Sequence, residues 1–148
     1  MSIWDWALEV YARPGVAQAC LRLQDDHRQN VPLLLWAVWA SAGDVDLIAR
    51  AAAAARDWDV VAVSPLRAVR RALKAPSPPV ENEAREALRT EVKAAELQAE
   101  RVLLETLARL TGDSAASASP LEALRAASAA WGPGAPDDAL AVLARALG

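Results

Sequence analysis

The chain of 148 residues has no phenylalanine and only one cysteine, one histidine, one methionine and one tyrosine. A lone cysteine, Cys20, excludes an intramolecular disulfide. One Cys and one His fall short of the three or four ligands of a structural zinc site. A single His also excludes the paired Glu-x-x-His motifs of di-iron bundles. The sequence has no Walker-type phosphate loop, no G-x-G-x-x-G and no G-x-S-x-G elbow. No metal or cofactor is therefore expected. Lysine is scarce: Lys74 and Lys93 are the only two among 16 basic residues, and the net charge is −3. Without global basic character, no nucleic-acid partner is expected. The start, Met1-Ser2-Ile3-Trp4-Asp5, carries no basic n-region and no apolar h-region. A signal peptide is thus not expected, and the cytoplasm is the expected location.

What is present is alanine, about a quarter of the residues, within a hydrophobic share of 54%. Alanine is the best helix former, so an all-α fold is expected. A domain of this length can bury about 68–70% of its extended-chain surface. The most informative stretch is Val31 to Ala40, free of charge and of polar groups except the indole N–H of Trp36 and Trp39. Asn30 suits an N-cap, Pro32 the first turn and Gly43 the stop. A helix apolar on every side must be buried on most of them. At roughly 11 residues it is too short for a bilayer, which needs about 20. Trp36 and Trp39 are therefore expected at the centre of the fold.

Punctuation divides the rest. A first helix is expected over 2–12, with Ser2 as cap and two apolar stripes: Trp4, Leu8, Tyr11 and Ile3, Trp6, Ala7, Val10. Two stripes imply burial on two sides, or burial plus a partner surface. A second helix over 14–27 should bury Val16, Ala19, Cys20 and Leu23. Asp44 should cap a fourth over 45–57. Trp58 to Val63 is β-prone, but one strand has nothing to pair with, so an extended link or a first helical turn is expected. Ser64-Pro65 restarts a helix to about Ala75, and Pro76-Ser77-Pro78-Pro79 breaks it. The longest helix is expected over 80–110, about 46 Å. Its expected stripe is Ala84, Leu88, Val92, Ala95, Ala99, Val102, Leu107 and Leu110, with Leu97 and Leu104 off it and covered by another helix or a second protomer. Ser119-Pro120-Leu121-Glu122 is a capping box opening a helix to Trp131, and a terminal helix is expected over 137–147.

Trp4-Asp5-Trp6, Tyr11, Pro14-Gly15-Val16, Cys20-Leu21, Leu23-Gln24-Asp25 and Val31-Pro32-Leu33-Leu34-Leu35-Trp36 together resemble a small family of uncharacterised proteobacterial proteins. The resemblance is clear over about the first 45 residues and extends through Pro65-Leu66-Arg67 to Lys74 and into the long helix. Members are similar in length and vary in their C-terminal part. They often carry Gly in the connection where this chain has Arg28 or Gln29. The resemblance implies no activity.

Two clusters are candidate binding sites. Gln24, Asp25, Asp26, His27, Arg28 and Asn30 lie at a helix junction beside the apolar core, where an Asp–His pair could do acid–base work. The plainer alternative leaves the aspartates on the surface and His27 ending a helix. Asp25-Asp26 alone falls short of the two aspartate-rich motifs of all-α prenyl synthases. Arg67, Arg70, Arg71 and Lys74 form a basic stripe able to hold an anion or an acidic partner. The alternative is dipole compensation and pairing with Glu81, Glu83 and Glu86. Trp4 or Trp6 is expected nearer the surface, where Trp serves interfaces. Cys20 is expected to be an inert core residue.

The expected architecture is an all-α, single-domain, irregular bundle of seven or eight helices, with a central apolar helix near 32–42 and a long helix near 80–110. Residues 1–111 form the main bundle, 112–119 a linker and 120–148 a C-terminal helical pair. The leading functional expectation is a non-catalytic protein-interaction or adaptor protein with a protein partner and a possible homodimer through the long helix. The alternative is a binder of a small or lipid-like molecule, or an enzyme, using a Trp-lined pocket near Gln24, Asp25 and His27.

Overall fold

Local capping chemistry sets most helix starts. The computed structural model describes residues 1–113 and 116–148, so Ser114 and Ala115 of the expected linker lie outside the described residues. α1 (Ile3–Tyr11) is capped by Ser2, whose Oγ accepts from the Asp5 N–H. α3 (Val31–Trp39) is capped by Asn30, whose Oδ1 accepts from the Leu33 N–H at 3.0 Å. α4 (Val45–Trp58) starts on Asp44. α7 (Pro120–Trp131) opens on a reciprocal capping box between Ser119 and Glu122. The remaining helices are α2 (Val16–His27), α5 (Ser64–Ala72), α6 (Asn82–Thr111) and α8 (Asp137–Leu147). The chain thus folds as a single all-α domain with eight α-helices among the described residues.

The apolar helix α3 lies at the centre. Val31 through Ala37 are all buried, and Trp36 is fully enclosed, its indole N–H donating to Thr111 Oγ1 at 2.8 Å. α6 and α7 pack on it most extensively, with α1, α4 and α2 completing the cover. α7 also packs on α4, and α8 packs on α2. α7 and α8 also pack on each other, and residues 120–148 contribute to the core: Ala123, Leu124, Ala127 and Leu143 are fully buried.

Several expectations are corrected. α3 ends at Trp39 with Ala40 as its C-cap, and the left-handed residue that follows is Ser41 (φ 48°), not Gly43. Gly43 is needed for a close approach instead: a Cβ there would sit 3.2 Å from the Ser117 carbonyl carbon. The 116–119 strand of chain is pinned to the same place, since the Ala118 N–H donates to the Ser41 carbonyl at 3.0 Å. Trp39 is half-buried, not central. Asp59–Val63 is helical and not an extended link. It forms a π-helical segment that joins α4 to α5. With no second strand among the described residues, the backbone satisfies its own hydrogen bonds in helical form, and Val60 and Val61 point to solvent.

The largest correction concerns α6. Ala84, Leu88 and Ala95 of the expected stripe are exposed, as is Leu97, whereas Leu104 is buried. The core-facing residues are Ala99, Leu103, Leu104 and Leu107, all in the second half. The first half packs on α5, which itself has no buried residue. Arg85 and Glu96 are the buried positions there. Polar groups thus hold that half, so apolar periodicity misplaces its inward face.

Candidate functional site

The α2–α3 connection is short because two helix ends share it. α2 ends at His27, Arg28 takes a left-handed backbone (φ 53°, ψ 33°), and the Gln29 N–H returns to the Leu23 carbonyl at 3.0 Å. Asn30 then caps α3. A glycine fits such a left-handed position without strain, which accounts physically for the glycine that the resemblance sets in this connection.

This junction forms one wall of a cleft of about 610 Å³. The opposite wall is Asp59, Val63 and Ser64 from the π-helical segment and the start of α5, followed by Arg67 and Arg71. Trp131, at the end of α7, closes one side, and its indole N–H donates to the Arg28 carbonyl at 2.8 Å. Gln29 ties the junction down further. Its Nε2 donates to the Pro133 carbonyl at 2.9 Å and the His27 carbonyl at 3.3 Å. Two carbonyl partners fix the amide orientation, which leaves Gln29 Oε1 buried without a hydrogen-bond partner among the described residues.

Three guanidiniums and two carboxylates line the cleft. Arg71 lies 3.8 Å from Asp25, both exposed, and the Ser64 hydroxyl donates to Asp59 Oδ2 at 2.7 Å. Arg28 enters no ion pair among the described residues. Arg67 is the most committed: its Nε donates to Glu96 Oε1 at 3.1 Å, it approaches Glu100 at 3.7 Å, and it donates to Gln24 Oε1 at 3.4 Å. Arg70 donates to the same Glu96 carboxylate. Burial disfavours the charged form of Glu96, but the hydrogen bonds and charges of Arg70 and Arg67 outweigh it and hold its pKa below the ordinary value. Glu100 lacks such donors. Burial pushes its carboxyl up to about 7, against the pull of Arg67.

Beyond the wall made by Gln24, Val31 and Pro32 lies a second pocket of about 270 Å³. Its lining is mostly apolar and aromatic, with Trp4, Leu8, Tyr11 and Leu97 around it, the Gln24 amide in the shared wall and Glu100 as its one charged residue.

The structure thus brings Gln24, Asp25, Arg67 and Arg71 into one cleft. His27 does not line it and sits half-buried at the end of α2, its Nε2 buried without a partner among the described residues. An Asp25–His27 acid–base pair therefore has no imidazole in the cleft. Arg70 faces Glu96, and Lys74 is exposed past the end of α5. Trp4 belongs to the second pocket; Trp6 lines neither. The stripe pairs with Glu96, Glu100 and Asp25 instead of Glu81, Glu83 and Glu86. The reason is geometric: in an antiparallel α5–α6 hairpin, Arg67 lies opposite the middle of α6. Sequence reasoning missed Trp131, Asp59, Glu96 and Glu100, which reach the sites only through tertiary packing. Cys20 is fully buried, and burial pushes its thiol up to about 12.

Among the described residues, no three His, Cys, Asp or Glu gather as a metal site, and no helix is long and apolar enough to cross a membrane. No curated protein and no solved structure matches the chain. A family model described as a protein of unknown function, DUF2390, matches residues 2–107. That span is most of the 148 residues, and the chain belongs to this family of unknown function.

Proposed function

We propose that the protein is a binding protein whose cleft at the α2–α3 junction holds a small anionic molecule, a carboxylate or a phosphate. One observation carries this reading: Arg28, Arg67 and Arg71 meet in a single concavity of about 610 Å³ at the N-terminal end of α3. That volume lies in the range of small-ligand pockets, and guanidinium groups suit carboxylate and phosphate geometry. The start of α3 adds the positive end of its dipole. Binding is favoured over catalysis by the lining itself. It offers neither imidazole nor thiol, and its one hydroxyl side chain, Ser64, is engaged with Asp59.

The test is Arg28→Gly, read in two ways. Removing the Arg28 guanidinium, which has no ion pair among the described residues, should weaken the binding of inorganic phosphate or succinate at least tenfold by isothermal titration. The same change relieves a left-handed non-glycine backbone, which costs about 1 kcal/mol, so thermal stability should rise. A purely structural Arg28 would leave anion binding unchanged; wild-type protein that binds neither anion at millimolar concentration would sink the reading.

A second reading, an interaction protein that self-associates through α6, is supported by the exposed apolar positions Ala84, Leu88 and Ala95. Light scattering should then give a dimer mass that reverts to a monomer in Leu88→Glu; a monomer at every concentration rejects it.

A further inference from the structure

We propose that the pocket between α1, α3 and α6 is a second binding site, one that takes a small apolar amine through the Glu100 carboxylate. Four observations support it. The pocket is a concavity of about 270 Å³ that opens to solvent beside Leu8, Tyr11 and Leu97. Since a cavity of about 150 Å³ can hold benzene, this one takes a single ring with a short arm. Its interior is apolar: Ala7, Leu35 and Leu104 are buried, while Leu8, Tyr11 and Leu97 are partly open to solvent at 52%, 44% and 52% exposure. Its one charged lining group is a carboxylate. That carboxylate is poorly served. Glu100 accepts no hydrogen bond among the described residues, and its nearest cation, Arg67, stands at 3.7 Å while donating to Glu96 and Gln24.

The chemistry selects among ligands. An anion would meet Glu100 head-on. A neutral apolar molecule would dehydrate the carboxylate further without compensation. An ammonium supplies the missing hydrogen bonds and a countercharge closer than Arg67 at 3.7 Å, and its apolar body covers the exposed Leu8 and Leu97. Trp4 and Tyr11 add aromatic faces to the lining, although Arg101 already lies 5.4 Å from the Trp4 ring centroid. The ionisable and charged groups around Glu100 are Arg67 and Arg70 on α5, Glu96 on its own helix and Tyr11 on α1. Burial raises Glu100 into the neutral range, so occupancy should depend on pH: the ionised form above pH 7 binds the amine and the protonated form below it does not.

Isothermal titration with 2-phenylethylamine, 2-phenylethanol and 3-phenylpropionate separates the possibilities, because the three share a ring and differ in charge. At pH 8 the amine should bind at least tenfold more tightly than the alcohol, and the propionate least. The preference should vanish at pH 5.5 and in Glu100→Gln, which keeps side-chain shape. Leu97→Arg, at an exposed position, leaves Glu100 in place and should weaken the amine by setting a like charge at the mouth. Equal binding of amine and alcohol, tighter binding of the propionate, or no binding of the amine at millimolar concentration would each overturn the proposal. The two sites share the wall of Gln24, Val31 and Pro32 and the Arg67–Glu100 pair, but Arg28 lines only the cleft, so Arg28→Gly tests the anion without touching the amine pocket.

Discussion

Glu96 and Glu100 sit one helical turn apart on α6 and respond to their surroundings in opposite directions. Burial acts on both, but Glu96 has two arginine donors and its pKa falls, whereas Glu100 has none and rises to about 7. The consequence for stability follows from linkage. An unfolded Glu loses its proton near 4.5, while folded Glu100 keeps it until about 7. Between these values the folded state binds more protons, so stability falls as pH rises through the window. The loss from Glu100 should be on the order of 2 kcal/mol, complete above pH 7. Glu96 acts oppositely and contributes stability that is lost on acidification. Glu100→Gln removes only the Glu100 contribution. Urea unfolding at pH 4.5, 5.5, 6.5 and 8 should show the variant matching wild type at the acid end and exceeding it progressively towards pH 8; a pH-independent difference would refute this assignment. Nothing in the local sequence distinguishes the two glutamates, since their contrast comes from Arg67 and Arg70 lying opposite one of them. Ser2, Asn30, Asp44 and Ser119 were legible as caps because capping involves residues two or three apart.

The helix α5 shows what polar packing does to an element. It buries no residue of its own, and its apolar side chains Leu66, Val69 and Leu73 are at most partly covered. Arg67 and Arg70 clamp it to Glu96, and Arg85 of α6 donates to the Leu73 carbonyl just past its end at 3.0 Å. The Glu96 side chain is 9% exposed and the two arginines 19% and 20%. Glu96→Ala should therefore cost about 2 kcal/mol, less than the ~3–5 kcal/mol of a fully buried pair broken on one side. The effect should be local: amide exchange over 64–72 should accelerate most, with α3 protection changed only by the global shift. Uniform acceleration across the chain would show that α5 is held by something else. The same physics explains the misread α6. Hydrophobic periodicity locates an inward face only where that face is apolar, and the first half of α6 turns Arg85 and Glu96 inward, leaving Leu88 outside. The clefts were only half legible for a related reason. Gln24, Asp25, Arg67 and Arg71 stood out by composition, but Trp131 meets Arg28 across 103 residues and no spacing rule connects them.

For the molecule as a whole, a helix with no polar face sets the requirement that every side be covered. α3 meets it with Leu33, Leu34 and Trp36 at 0% exposure and Leu35 at 4%. α7 supplies much of that cover while also packing on α4, and its Ala123, Leu124 and Ala127 are fully buried. The family model ends at residue 107, before α7 begins. The matched segment therefore contains the helix that needs covering without one of the helices that covers it. A fragment ending at Gly112 would expose the α7-facing sides of α3 and α4, and α2 would lose α8, whose Leu140 and Leu143 are also buried. At about 1.5–3 kcal/mol for each large apolar side chain that loses its cover, exposing several of them is comparable to the roughly 5–15 kcal/mol that keeps a typical domain folded. The fragment 1–112 should retain helical far-ultraviolet dichroism, bind a hydrophobic dye and unfold without a cooperative transition. Adding a peptide of residues 116–148 in excess should restore cooperativity, because the packing of α7 and α8 is the missing term and no covalent link is required for it. A fragment that unfolds as cooperatively as the full chain, at the same midpoint, would mean that α3 is sealed by the first 112 residues alone.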